Sequence, residues 1–449
     1  MTNDSGGAAA VPTAVSLGAA FRFWLRLGFI SFGGPAGQIA IMHAELVERR
    51  RWISEKRFLH ALNYCMVLPG PEAQQLATYI GWLMHGTWGG IMAGALFVLP
   101  SLVILVALSA VYVRFGDQPL VAGIFDGIQP AVVAIVLHAA YRIGTRALRN
   151  AWLWGLAAAS FVAIFALDTP FPVIVVAAAL VGWLGARRWP QVFVLGGGHG
   201  DVKAGYGPAL IDDATPTPAH ARFSRQRLVG VLLTGLALWA LGMLALIGTL
   251  GWSSTLAQMG WFFTKAALVT FGGAYAVLPY VYQGAVEQHQ WLSGPQMIDG
   301  LGLGETTPGP LIMVVAFVGF VGGWLQGALG PSALFLGGAL AAVVATFFTF
   351  LPSFIFIFAG GPAVEATHGK LGFTAPLSAI TAAVVGVIVN LALFFAWHVL
   401  WPQGFTGPFE GLSAAVALTA VVALFRFKAR VLPLLGACAL TGLAAALLR

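Results

Sequence analysis

Two cations stand inside apolar stretches of this chain, each at the same distance from the same triplet. Arg26 lies six residues before Phe32-Gly33-Gly34, and Lys265 lies six residues before Phe271-Gly272-Gly273. A cation at the centre of a membrane-spanning helix costs roughly 2.5–3.5 kcal/mol on insertion scales, so its presence points to attraction of an anion. The alternative is that the side chain snorkels to the interface. Further on, Pro69-Gly70-Pro71 and Pro308-Gly309-Pro310 each read as the end of one helix and the start of another. The first proline stops a helix, the glycine permits a turn, and the second proline suits a first helical position. A helix start presents unpaired N–H groups and about half a positive charge, which suits an anion. Gly70, Pro71, Gly309 and Pro310 are therefore candidate ligand-binding positions, with Gln75 one turn on from Pro71. Gly33, Gly34, Gly272 and Gly273 permit close backbone approach to a ligand, and Ser31 and Thr270, just before the triplets, add hydroxyls. Close helix packing is the competing reading of these glycines.

Two acids flank the turns, Glu72 after the first and Glu305 before the second. Either can carry a proton as part of coupling. Glu72 also has a plainer role, complementing the dipole of a helix it begins. His138 and Asn390 lie in apolar stretches and read as helix–helix hydrogen-bond partners.

The elements that position these residues occur twice. The triplets, the Pro-Gly-Pro turns, Glu48 with Glu287, and Trp52-Ile53-Ser54 with Trp291-Leu292-Ser293 all keep one offset of 239 residues. Leu99-Pro100-Ser101 and Leu351-Pro352-Ser353 match at an offset of 252, as do Ala131-Val132-Val133 and Ala383-Val384-Val385. Such a register marks an internal duplication, and in an apolar chain with broken helices it marks a secondary transporter.

Composition agrees. The chain is 59% hydrophobic and 9% charged, where soluble domains carry roughly 25% charge. Runs such as 89–113, 230–250 and 333–359 are long enough to span a bilayer. The expected fold is an all-α polytopic membrane protein of about 12 membrane segments, with broken or re-entrant helices at the Pro-Gly-Pro turns. We divide the chain into an N-terminal tail (1–13), a first repeat (14–186), a polar cytoplasmic linker (187–227) and a second repeat (228–449). Residues 1–13 carry no Lys or Arg, so no secretory signal is read there. Gly196-Gly197-Gly198-His199-Gly200 in the linker lacks the Lys-Ser/Thr of a phosphate loop and reads as spacer. The net charge of +7 falls largely at the ends of apolar segments, which argues for the positive-inside rule and against nucleic acid. Residues 49–57 hold five Lys or Arg and the equivalent residues 288–296 hold none, so the repeats are expected to be inverted. Cys65 and Cys438 form no metal or disulfide pattern. No cofactor or metal is expected.

Phe32-Gly33-Gly34, Trp52-Ile53-Ser54 and the run from Leu68 to Trp82, with their second copies, resemble the chromate ion transporter family in its long, two-domain form. The resemblance covers nearly everything outside the linker and tails. It implies repeats of opposite orientation in the inner membrane and export of chromate from the cytoplasm, with sulfate as the isosteric competitor; a homodimer is compatible with it. A carrier of sulfate or another oxyanion, running inward, is the alternative within transport. An intramembrane enzyme finds no support, since His-Glu-x-x-His and Gly-x-Ser-x-Gly are both absent. A membrane scaffold without transport is the remaining class.

Overall fold

Helix-breaking residues, rather than changes in polarity, divide this chain into elements. The computed structural model describes residues 13–189, 193, 206–367 and 374–448, and these are helical with short connections. The glycine run of the linker lies outside the described residues. In the first repeat, α1 (Leu17–Ile30) and α2 (Gly34–His43) flank the Phe-Gly-Gly break, and α2 passes into a π-helical turn, Ala44–Arg49. Helix α3 (Glu55–Val67) ends at the Pro-Gly-Pro turn, where α4 (Glu72–Phe115) begins. Then follow α5 (Pro119–Ala147), α6 (Ala151–Leu167) and α7 (Phe171–Arg188).

After α8 (Arg225–Leu250), the series repeats. Helices α9 (Thr255–Val269) and α10 (Ala274–Tyr282) lead to a second π-helical turn, Gln283–Gln288, at the same offset as the first. Helix α11 (Gly294–Thr306), a 3-10 turn (Leu311–Met313) and α12 (Val314–Leu325) surround the second Pro-Gly-Pro. Helices α13 (Leu334–Thr367), α14 (Thr374–Leu400), α15 (Gly411–Phe425) and α16 (Val431–Leu448) complete it. Among the described residues, seven helices are long and apolar enough to cross a membrane, and the apolar α6, α12 and α15 are shorter. The chain is a multi-pass membrane protein with two repeated halves.

The broken elements are hairpins whose two arms return to the same side. Phe23 of α1 meets Trp52, just beyond the π-helical turn, with ring centroids 4.9 Å apart. Helix α4 kinks at His85 and Gly86, which leave helical geometry. Its first limb therefore turns back toward the start of α3. Residues 206–221 lie across that end as a strap. Ile211 pairs with the segment Trp52–Ser54 through main-chain bonds of 3.0 and 3.1 Å, and His220 Nε2 lies 2.9 Å from the Trp82 carbonyl. In the second repeat, Trp291 packs on Phe262 and Phe263 of α9, and the Gln326 amide after α12 donates to the Gln290 carbonyl at 3.1 Å.

The two sets of hairpins enter from opposite ends of the bundle. Arg57 at the start of α3 pairs with Glu365 near the end of α13 at 3.2 Å. At the other end, Asp299 near the start of α11 accepts from Tyr112 near the end of α4, at 2.8 Å. The second limb of α4, about 29 residues and roughly 43 Å at 1.5 Å per residue, separates the two. Among the described residues, helix α8 has no counterpart in the first repeat, and this one extra crossing inverts the second repeat. The halves also interlock, since α6 and α7 pack on α14 while α15 and α16 pack on α5.

Candidate functional site

The four breaks meet at the centre of the molecule through a reciprocal exchange of hydrogen bonds. The Gly70 N–H donates to the Thr270 carbonyl at 2.8 Å, and the Gly309 N–H donates to the Ser31 carbonyl at 2.8 Å. Each Pro-Gly-Pro turn is therefore held by the Phe-Gly-Gly break of the other repeat. Gly70 has φ +125° and Gly309 has φ +105°, backbone geometry that only glycine adopts without strain. Two glutamines brace these turns. The Gln75 amide donates to the Pro69 carbonyl at 2.8 Å, and the Gln38 amide donates to the Gly309 carbonyl at 2.5 Å.

The serines of the two Leu-Pro-Ser matches close the same crossings. A Cβ on Gly70 would come within 2.5 Å of Ser353 Oγ, and one on Gly309 within 2.8 Å of Ser101 Cβ. So Ser353 of the second repeat lies against the first turn, and Ser101 of the first lies against the second. Both serines are 1% exposed.

Within the hairpins, helix capping divides along the same line, while α5, α7, α8 and α15 elsewhere also start without a side-chain cap. Helices α1, α3, α9 and α11, which start at loops, are capped by the side chains of Ser16, Ser54, Ser254 and Ser293. The helices that start at the breaks, α2, α4, α10 and the 3-10 turn at Leu311, have no side-chain cap. Uncapped first turns leave N–H groups and the positive end of the dipole available to a ligand. Space adjoins them. A Cβ on Gly34 or on Gly273 would meet nothing within 4 Å, although Gly273 is buried. Close helix packing is thus not what those two glycines serve.

Some expected site residues take other positions. The hydroxyls of Ser31 and Thr270 donate within their own helices, to Leu27 and Ala266, each at 2.6 Å. These two residues act at the crossing through their carbonyls. The N–H groups of Gly70 and Gly309 are engaged across the repeats, and the open N–H groups belong to the first turns that follow Pro71 and Pro310. Arg26 and Lys265 are exposed on α1 and α9, off the crossing, with Lys265 Nζ 5.8 Å from the Trp261 ring centre. Glu305 accepts a hydrogen bond from Tyr275, and Arg142 and Arg146 of α5 act electrostatically on Glu305 and Glu72 respectively. His138 packs edge-on against Phe425, with ring centroids 5.1 Å apart.

Four polar groups that matter here escaped the sequence reading: Gln38, Ser101, Ser353 and Asp299. Asp299 is 5% exposed and accepts from Tyr112 and Gln129, each at 2.8 Å. It borders a cavity of about 290 Å³ at the end of the bundle opposite the strap, also lined by Asp117 and Asp126. A polar residue within an apolar stretch was the available signal for Gln38 and Asp299, and the duplicated Leu-Pro-Ser match was the signal for the two serines. Among the described residues, no three His, Cys, Asp or Glu side chains are grouped as metal ligands would be.

A family model described as chromate transporter matches residues 18–183 and 257–443, both copies of this architecture. The chain belongs to the chromate transporter family. A chromate transport protein of Cupriavidus metallidurans is 29% identical over 449 residues, covering 99% of this chain and 96% of that protein. One of Pseudomonas aeruginosa is 33% identical over 387 residues, covering 84% of this chain and 81% of its own length. No solved structure matches the chain. The family match spans the hairpins of both repeats and omits α8 and the strap.

Proposed function

We propose that this chain exports the chromate oxyanion across the inner membrane, with the substrate held where the four uncapped helix starts converge. The observation that carries this reading is the contrast in capping within the hairpins: serines close their outer starts at α1, α3, α9 and α11, and the helix starts at the central crossing are left open. Partial positive charges at several helix starts beside the two crossings suit a tetrahedral dianion. Gly33, Gly34, Gly272 and Gly273 give the backbone room to approach it. Gly70, Pro71, Gly309 and Pro310 set the direction of the open N–H groups, with Ser31, Thr270 and Gln75 fixing the frame. Arg26 and Lys265 lie outside that frame, and their role is to raise the local anion concentration. Rocking of the hairpins against the interlocked long helices alternates access. A membrane potential negative inside drives two charges outward by about 4.6 kcal/mol per 100 mV. Glu72 and Glu305 are the carboxyls placed for proton coupling.

The relatives named as chromate transport proteins favour chromate over sulfate, and sulfate uptake is the competing reading. The deciding experiment is labelled chromate uptake into inside-out vesicles, with sulfate as competitor. Saturable chromate uptake that exceeds that of vesicles lacking the protein supports export. Sulfate carried and chromate ignored would leave the architecture and remove the substrate assignment.

A further inference from the structure

Buried serines and threonines in helices usually donate to the carbonyl one turn back. This chain follows that habit at Thr264, Thr346 and Thr349, with bonds of 2.7 Å in each case. Two serines of α4, Ser101 and Ser109, depart from it, each with an enclosed Oγ that finds no hydrogen-bond partner among the described residues; Ser101 is the one that lies against Gly309 at the second crossing. Leaving a buried hydroxyl unpaired costs free energy that an alanine would avoid. Ser353, its counterpart in the duplication, accepts a long bond of 3.4 Å from the Gln75 amide at the first crossing. Its own hydrogen goes to no protein group among the described residues. Two hydroxyl donors therefore stand at equivalent points of the two crossings, each contributed by the repeat opposite to the turn it touches. Uncapped helix starts lie immediately beside both.

We infer that Ser101 and Ser353 are substrate-contacting residues, each donating its hydroxyl hydrogen to one oxygen of a tetrahedral oxyanion. The inference rests on the oxyanion reading above and adds side-chain donors to what was otherwise a backbone site. It also explains why the Leu-Pro-Ser match is kept in both repeats. The preceding prolines, Pro100 and Pro352, lie inside α4 and α13. A proline there releases the carbonyl one turn back from its usual N–H partner and lets the helix bend at the serine. Gln38 and Gln75 hold the turns in place, since their amide nitrogens face backbone carbonyls.

The test is Ser101→Ala and Ser353→Ala in the full chain, read by chromate uptake kinetics and by thermal unfolding in detergent. Removing Ser101 Oγ takes away no protein hydrogen bond, so its unfolding temperature should stay level or rise. Half-saturating chromate should rise about tenfold for Ser101→Ala, the factor that corresponds to about 1.4 kcal/mol. Ser353→Ala should move in the same direction, and the double variant further. Unchanged chromate kinetics in Ser101→Ala would overturn the inference while leaving chromate transport standing. A clear loss of stability in Ser101→Ala would overturn it too, by showing that the hydroxyl has a structural partner. Absence of chromate uptake by the native chain would instead remove the oxyanion reading, and this inference with it.

Discussion

Gly70→Ala is the change that the central crossing should tolerate least. The new Cβ would lie 2.5 Å from Ser353 Oγ and 2.6 Å from the Gln75 amide nitrogen. The Gln75 side chain can move, but only by releasing the Pro69 carbonyl that it caps. Backbone at φ +125° adds strain of about 1–3 kcal/mol for a residue with a side chain. Relaxing that strain would lengthen the Gly70–Thr270 bond, worth about 1 kcal/mol. The sum is roughly 2–4 kcal/mol of lost stability. Gly18→Ala is the matched control, because a Cβ there meets nothing within 4 Å and the residue lies within α1. The assay is thermal inactivation of the purified protein in detergent, followed by chromate uptake after reconstitution. Gly18→Ala should match the native chain, and Gly70→Ala should inactivate at a clearly lower temperature. Adding Ser353→Ala removes the Oγ contact and should restore part of the loss, while the backbone strain persists. A Gly70→Ala protein as stable as Gly18→Ala would refute the reciprocal crossing as the element that holds the turns.

Other consequences can be measured separately. With Cys in place of Ser54 or of Ser293, an impermeant thiol reagent should label the two from opposite sides of the membrane; labelling from one side would contradict the inversion. Arg57→Met leaves the buried Glu365 carboxylate with Tyr79 alone, and should cost about 3–5 kcal/mol. The double change Arg57→Met with Glu365→Met should recover most of that, by the same thermal assay. Arg26→Ala should raise half-saturating chromate at low ionic strength and lose that effect at high salt, since an exposed charge is screened within about 10 Å at 0.1 M. An effect that salt leaves untouched would place the guanidinium in direct contact with the substrate.

The breaks, their duplication and their inversion were legible because each rests on local residues. Proline and glycine carry their backbone preferences in any context, and the excess of Arg and Lys in 49–57 over 288–296 is a count. The way the breaks join was not legible. Gly70 binds Thr270 rather than its own repeat's Ser31, and nothing local distinguishes those two pairings. The Leu-Pro-Ser match was visible as a repeat, yet its serine gains meaning only when α4 and α13 are laid against the opposite turns. At Arg26 and Lys265 the sequence shows the spacing but not the exposure. Their spacing is regular, but exposure depends on which face of α1 and α9 meets the bundle, and that face is set by partners such as Leu96 and Pro100 around Gly28. The linker reads from its composition as a polar cytoplasmic loop, whereas its Leu210 and Ile211 make main-chain pairs with Arg51–Ser54 that no periodicity announces.

The reciprocal bonds also set an order of events during synthesis. Thr270 is made 200 residues after Gly70, and Gly309 is made 278 residues after Ser31. At roughly 5–20 residues per second, the first repeat waits about 10–40 s in the membrane before the first of these partner groups exists. Through that interval its hairpins hold a polar backbone turn without the bond that completes it. The first repeat is thus committed to the bilayer long before its centre can close, and that centre closes only once the breaks of the second repeat arrive.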